Sequence, residues 1–147
     1  MSHSFSKNHV HLVFSTKNRS RTISEDMQPE MWSYLAGICR NQDMVSLAIG
    51  GIADHVHLLF HLPPTVSLAK AISVLKSNSS LWMNERGIKF AWQEGYGAFS
   101  VSASNLATVS RYIRNQKIHH QKFTFEDEFL TLLRKHKVDF DPESVFG

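Results

Sequence analysis

The stretch MVSLAIGGIADHVHLLFHL, Met44 to Leu62, decides the fold. Two apolar runs, Met44 to Gly50 and His55 to Leu62, are separated by Gly51, Ile52, Ala53 and Asp54, which reads as a hairpin or tight connection between two strands. Pro63-Pro64 stops the second run, because proline has no N–H to give a sheet ladder. Upstream, residues 8 to 17 (NHVHLVFSTK) are rich in β-branched and aromatic types and short enough for a strand. A helical stretch follows, with Pro29 near its start and Met31, Trp32, Leu35, Ile38 and Cys39 at spacings of three and four. Downstream, a helix is expected from about Ser67 to Asn84, with Leu68, Ala71, Ile72, Leu75 and Trp82 on its apolar side and Gly87 just past its end. Gly95-Tyr96-Gly97 punctuates the chain before a strand-like Ala98-Phe99-Ser100-Val101. Ser102 or Ser104 suits the cap of a next helix carrying Leu106, Val109, Tyr112, Ile113 and Gln116 along one broad face. A last helix starts at Thr124, which with Asp127 makes a capping-box pattern, and ends near His136.

The order strand, helix, strand, strand, helix, strand, then helices, predicts an α+β fold. It is a ferredoxin-like split βαβ sandwich: an antiparallel sheet with helices on one face, plus an additional C-terminal helix. A chain of 147 residues, 42% of them hydrophobic, suits one domain over 1–147 with a core of its own. The single Cys39 excludes an internal disulfide and a cysteine-based zinc cluster, and Met1-Ser2-His3-Ser4-Phe5-Ser6 lacks the apolar core of a signal peptide. No apolar run approaches the ~18 to 20 residues needed to cross a bilayer, so a cytoplasmic setting without a membrane is expected. The net charge is +3, but its distribution is uneven. No acidic residue occurs from Met1 to Ser24, which holds Lys7, Lys17, Arg19 and Arg21, or from Gly95 to Phe125, which holds Arg111, Arg114, Lys117 and Lys122. Two acid-free basic stretches suit a polyanion such as nucleic acid, although charge alone equally describes a solvated face without a partner.

His55-Val56-His57 on a strand puts both imidazoles on one face, because side chains alternate with period two, and such a pair can share a cation. Nine histidines in 147 positions yield about half of one His-x-His by chance, so the pair alone also reads as structural. Tyr112 and Gln116, four residues apart on a predicted helix, project from one side. By propensity they are a core-margin tyrosine and a solvated amide; the flanking Arg111, Arg114 and Lys117 favour a phosphate instead. A second pair, His9 and His11, lies on the first predicted strand, where a ferredoxin-like order brings it beside the third, and it reads as structural or DNA-facing. His119 and His120 stand just beyond the basic helix, as phosphate contacts or a helix-end cap.

Taken together, Asp54-His55-Val56-His57-Leu58-Leu59 and the downstream Arg111-Tyr112-Ile113-Arg114-Asn115-Gln116-Lys117-Ile118-His119-His120 resemble the single-tyrosine HUH transposases of small bacterial insertion sequences, HUH being two histidines around a hydrophobic residue. The segment from Phe90 to Ser102 and the strand end Thr16-Lys17-Asn18-Arg19 fit as well, so the resemblance covers nearly the whole chain. It implies metal-dependent nicking and strand transfer of single-stranded DNA through a 5′-phosphotyrosine intermediate. It also implies recognition of DNA hairpins at element ends and a homodimer. The roles fall on Tyr112 as nucleophile and on His55, His57 and Gln116 as ligands of a divalent metal, Mg²⁺ or Mn²⁺. Lys17, Arg19, Arg21, Arg111, Arg114 and Lys117 are the expected DNA-binding residues. Gly95, Gly97 and the polar run Ser100 to Asn105 would give the Tyr112 helix a flexible tether. Two other functions fit the same residues. One is a ferredoxin-like nucleic-acid-binding module without strand transfer; the other is a phosphoesterase on which His9, His11, His55 and His57 converge.

Overall fold

The computed structural model describes residues 4–147; Met1 to His3, part of the opening run read for an export signal, lie outside it. Its strands are β1 (His9–Ser15), β2 (Val45–Ile52), β3 (His55–His61) and β4 (Gly97–Val101). They form one sheet in the order β2-β3-β1-β4, with every neighbouring pair antiparallel. Helices α1 (Gln28–Asn41) and α2 (Leu68–Glu85) make the two crossovers, and α3 (Leu106–Arg114), α4 (Gln116–His119) and α5 (Phe125–Lys135) follow β4. This is the split βαβ arrangement expected from the element order. Among the described residues, no helix is long and apolar enough to cross a membrane.

Period-two alternation sorts the central strands into two faces. Val10, Leu12 and Phe14 of β1 and Val56, Leu58 and Phe60 of β3 share the main core with Met31, Leu35 and Ile38 of α1 and Ala71, Ile72 and Leu75 of α2. The two crossover helices thus cover one face, as expected. The C-terminal helices take the other face: Val13 and Phe99 pack with Phe125, Leu132 and Leu133 of α5, and Ala48 and Leu59 pack with Ile113 of α3. Coverage on both sides explains why β1 is buried along its whole length and β3 from His55 to Phe60.

The caps follow the residues that make them. Ser67 Oγ accepts from the Lys70 N–H at 3.1 Å and opens α2, Gly87 ends it at a φ of 78°, and Thr124 Oγ1 accepts from the Asp127 N–H at 3.1 Å to open α5. Three local expectations change. Gly51 and Ile52 belong to β2, paired with Val56 and His55, so the hairpin turn is Ala53-Asp54 alone. Neither Ser102 nor Ser104 caps α3: their hydroxyls meet each other at 3.1 Å, and a 3₁₀ turn, Ala103–Asn105, leads into the helix. The Tyr112 helix does not run on to Gln116. Asn115 leaves helical geometry, α3 ends at Arg114, and Gln116 opens the short α4.

Gly50 fixes where α3 sits. A Cβ there would lie 2.4 Å from the Ile113 carbonyl oxygen, so the helix backbone rests directly on β2 in a way only glycine permits. This contact places Tyr112, one residue before Ile113, over the sheet.

Candidate metal centre and tyrosine

The hairpin delivers His55 and His57 to the sheet face beneath α4 and α5, both fully buried. Each ring is held from behind. His55 Nδ1 lies 2.7 Å from Asp54 Oδ1, and His57 Nδ1 lies 2.8 Å from His11 Nε2, which reaches diagonally across β1 and β3. The opposite nitrogens meet Gln116 and Glu128. His55 Nε2 is 2.9 Å from Gln116 Oε1 and 3.3 Å from Glu128 Oε1, and His57 Nε2 is 2.9 Å from the same Glu128 oxygen. His120 Nε2 lies 2.9 Å from Gln116 Oε1 and 3.1 Å from Glu128 Oε1, while its Nδ1 donates to the Phe123 carbonyl at 2.7 Å. One ligand atom from each of His55, His57, His120 and Glu128 lies within 4.8 Å of all the others. The second Glu128 oxygen, Oε2, accepts the Tyr112 hydroxyl and the Gln116 side-chain N–H, the latter at 3.0 Å.

Local folding explains this convergence. The break at Asn115 turns Gln116 inward, where it is buried although its neighbours Asn115 and Lys117 are exposed. On α5, Phe125, Glu128 and Leu132 share one buried face, so the apolar contacts that seat the helix carry a carboxylate inward. Tyr112 also borders a cavity of about 430 Å³ between α3 and α5, whose walls include Thr108, His119, Glu128, Thr131 and Lys135.

The electrostatics are those of a tightly coupled cluster. Burial alone would lower the His55 pKa, but the Asp54 and Glu128 carboxylates outweigh it and raise it to about 9. Burial dominates at His57 and lowers it to about 4, against the pull of Glu128. Burial would raise the Glu128 carboxyl, yet its hydrogen bonds to His120, His55 and His57 hold it well below the usual carboxylate range. Burial and the adjacent Glu128 charge push the Tyr112 phenol well above its ordinary value. Imidazole nitrogen together with amide and carboxylate oxygen is a donor set for a divalent metal, so this group can hold such an ion.

The structure brings together all four residues named for the chemistry: Tyr112, His55, His57 and Gln116. Lys17, Arg21, Arg111, Arg114 and Lys117 are exposed, and Arg21 lies near enough to Asp54 to help hold its carboxyl down. Arg114 donates to the Leu47 carbonyl at 2.9 Å. Arg19 is engaged by the C-terminal segment, donating to the Phe146 carbonyl at 3.2 Å and lying 3.7 Å from Glu126. His11 is buried against His57, which fits the structural reading and not the DNA-facing one. His9 pairs with His61 at the far end of the two strands, so four strand histidines do not converge on one point. Sequence reasoning missed Glu128. The available signal was a lone acid on the apolar face of α5, hidden in the run Glu126-Asp127-Glu128, which reads as an ordinary acidic first turn.

Residues 4–116 match the family model "Transposase IS200 like". Transposases for insertion sequence element IS200 from Salmonella typhimurium and Salmonella typhi are each 30% identical over 114 residues, 72% of this chain and 74% of theirs. A candidate transposase of Deinococcus radiodurans R1, known from a crystal structure, superposes with a TM-score of 0.62 at 22% identity, covering 79% of this chain and 96% of the other. A REP-associated tyrosine transposase bound to a REP hairpin superposes with a TM-score of 0.61 at 15% identity, covering 82% and 73%. At those identities the two structures establish the fold, while the family match spans most of the sequence. The chain belongs to the IS200-like transposases.

Proposed function

We propose that the chain cuts and rejoins single-stranded DNA, with Tyr112 as nucleophile and a divalent cation, Mg²⁺ or Mn²⁺, held by His55, His57 and Gln116. The observation that carries this reading is the shared carboxylate of Glu128. One oxygen faces the histidines and the other accepts the Tyr112 hydroxyl, so nucleophile and metal donors meet within one chain at a cavity wall. When bound, the cation supplies Lewis-acid polarisation of a phosphate oxygen. Tyr112 Oη forms a bond to phosphorus as the P–O3′ bond breaks. The phenol proton, held at Glu128 Oε2 before attack, leaves to water as the bond forms, because the Glu128 carboxyl is held too low to keep it, and the leaving 3′ oxygen takes a proton from water. The product is a 5′-phosphotyrosine and a free 3′-hydroxyl. A phenol, with a reference pKa near ~10, leaves more readily than an alcohol, so an incoming 3′-hydroxyl reverses the step without ATP.

Lys17, Arg19, Arg21, Arg111, Arg114 and Lys117 are assigned to DNA phosphates, with a hairpin as the recognised feature, by analogy with the relative bound to a REP hairpin. The working unit proposed is a homodimer of single-domain chains, residues 1–147, because strand exchange needs two nicks whose ends are swapped. With DNA as its substrate, the setting proposed for it is the cytoplasm.

The test is denaturing gel analysis of the protein mixed with labelled single-stranded DNA from the flanks of its own gene. The expected outcome is a covalent adduct that needs Mg²⁺ or Mn²⁺, disappears in Tyr112→Phe, and falls on the order of 10²- to 10³-fold in His57→Ala. Hairpin binding with no adduct under any condition would instead identify a binding module without strand transfer.

A further inference from the structure

We infer that His120 and Glu128 are ligands of the same divalent cation, closing on it from beyond the family's matched segment, which ends at Gln116. This rests on the metal reading above and extends the set of residues that hold the ion.

A count of protons in the cluster points to these ligands. His55 Nδ1 faces the Asp54 carboxylate and His120 Nδ1 faces the Phe123 carbonyl, and neither acceptor has a hydrogen to give. Both rings therefore donate from Nδ1, and in their neutral forms each turns an Nε2 lone pair inward. The Gln116 amide is oriented too: its N–H group donates to Glu128 Oε2, which turns Oε1 toward His55 and His120. Glu128 Oε1, 2.9 to 3.3 Å from the three Nε2 atoms, brings a negative charge to the same point. Lone pairs of His55, His120, Gln116 and Glu128 thus face one another in a buried space. Such a set is stable only around positive charge. One proton satisfies a single pair of these atoms; a divalent cation satisfies all of them together.

Dimensions and supports agree. Ligand bonds of ~2.0 to 2.2 Å place donors up to ~4.4 Å apart, so the 4.8 Å group closes on an ion with shifts of a few tenths of an ångström. Each imidazole has the outer partner that metal-bound histidines have: Asp54 for His55, His11 for His57 and the Phe123 carbonyl for His120. The ion would then join β3, α4 and α5. Its nitrogen-rich donor set favours Mn²⁺ over Mg²⁺.

The test is direct metal binding to the chelator-stripped chain. Free Mn²⁺ is followed by its EPR signal during titration, and bound imidazole nitrogens are counted by pulsed EPR. Three imidazoles are expected, matching His55, His57 and His120, and two in His120→Ala. The Kd should rise about tenfold or more in His120→Ala and in Glu128→Ala, the lower end of losses seen when a site's supports are removed. Glu128→Gln keeps the shape but not the charge, and it too should weaken binding, so a folding defect in Glu128→Ala does not carry the result. His61→Ala removes an imidazole at the far end of β3, beside His9, and should leave the Kd within about twofold. Two imidazoles in the parent chain, or an unmoved Kd in both His120→Ala and Glu128→Gln while His57→Ala loses binding, overturns the assignment. No Mn²⁺ binding at all overturns it together with the metal reading. Three imidazoles without any DNA adduct leaves it standing and overturns only the proposed nuclease.

Discussion

His55 and His57 are two residues apart on one strand, equally buried, and displaced in opposite directions. The difference lies in their partners: His55 faces carboxylates on both sides, Asp54 behind and Glu128 in front, while His57 has a carboxylate in front and a neutral imidazole behind. Without metal, the cluster at neutral pH therefore holds its proton on His55. The pH dependence of stability follows. Between 6.5 and about 9 the folded chain binds a proton at His55 that the unfolded chain has released, so stability falls as pH rises through that window. Between about 4 and 6.5 the unfolded chain binds a proton that His57 refuses, so stability falls as pH drops. Metal-free protein should melt highest near pH 6.5, with Tm lower by roughly 5 °C or more at either end. Saturating Mn²⁺ should flatten the alkaline side, because the ion takes the proton's place. Calorimetry across this range checks it, and stability that climbs from pH 6.5 to 9 without metal would mean that His55 is neutral.

The placement of Tyr112 is decided one level up, by the seat of α3 on β2. Gly50→Ala would put a methyl group 2.4 Å from the backbone oxygen of Ile113, and a backbone cannot rotate aside as a side chain can. The helix must lift, at a cost of about 1 to 3 kcal/mol. Denaturant unfolding should show that loss, and DNA cleavage should drop further than DNA binding. An unchanged midpoint would mean that α3 is not tied to the sheet at this point. The elements themselves were legible in the sequence wherever one period dominates, as in the β2–β3 hairpin, the capped α2 and the Thr124 start of α5. Their boundaries were less so: Gly51 and Ile52 read as turn, yet β3 offers them partners and the strand continues. The break at Asn115 was also hidden, since no proline or glycine marks it. Gln116 still reaches the histidines, so its place beside them was legible even though the continuous helix assumed for it was not. Glu128 and the inward turn of His120 depend on how α5 lies across the sheet, a tertiary choice that local spacing does not encode.

In the whole molecule, the split βαβ layer provides a core on one face and an apolar, histidine-bearing surface on the other. The helices after β4 turn that second surface into a site: α3 brings the tyrosine, α4 the amide and α5 the carboxylate. The cations Lys17, Arg21, Arg111 and Lys117 are exposed and, among the described residues, enter no ion pair, and Arg21 lies near Asp54. The chain's place among the IS200-like transposases fits this site, and the proposed reaction joins the phenol of Tyr112 to DNA. Mass spectrometry of the digested adduct tests this most directly, since trypsin cuts after Arg111 and Arg114 and isolates Tyr112-Ile113-Arg114. A 5′-linked nucleotide on that tripeptide, formed only with divalent metal, is the expected result. A nucleotide on Tyr34 or Tyr96, the other two of the chain's three tyrosines, or no linkage in protein that binds both metal and hairpin, would contradict it.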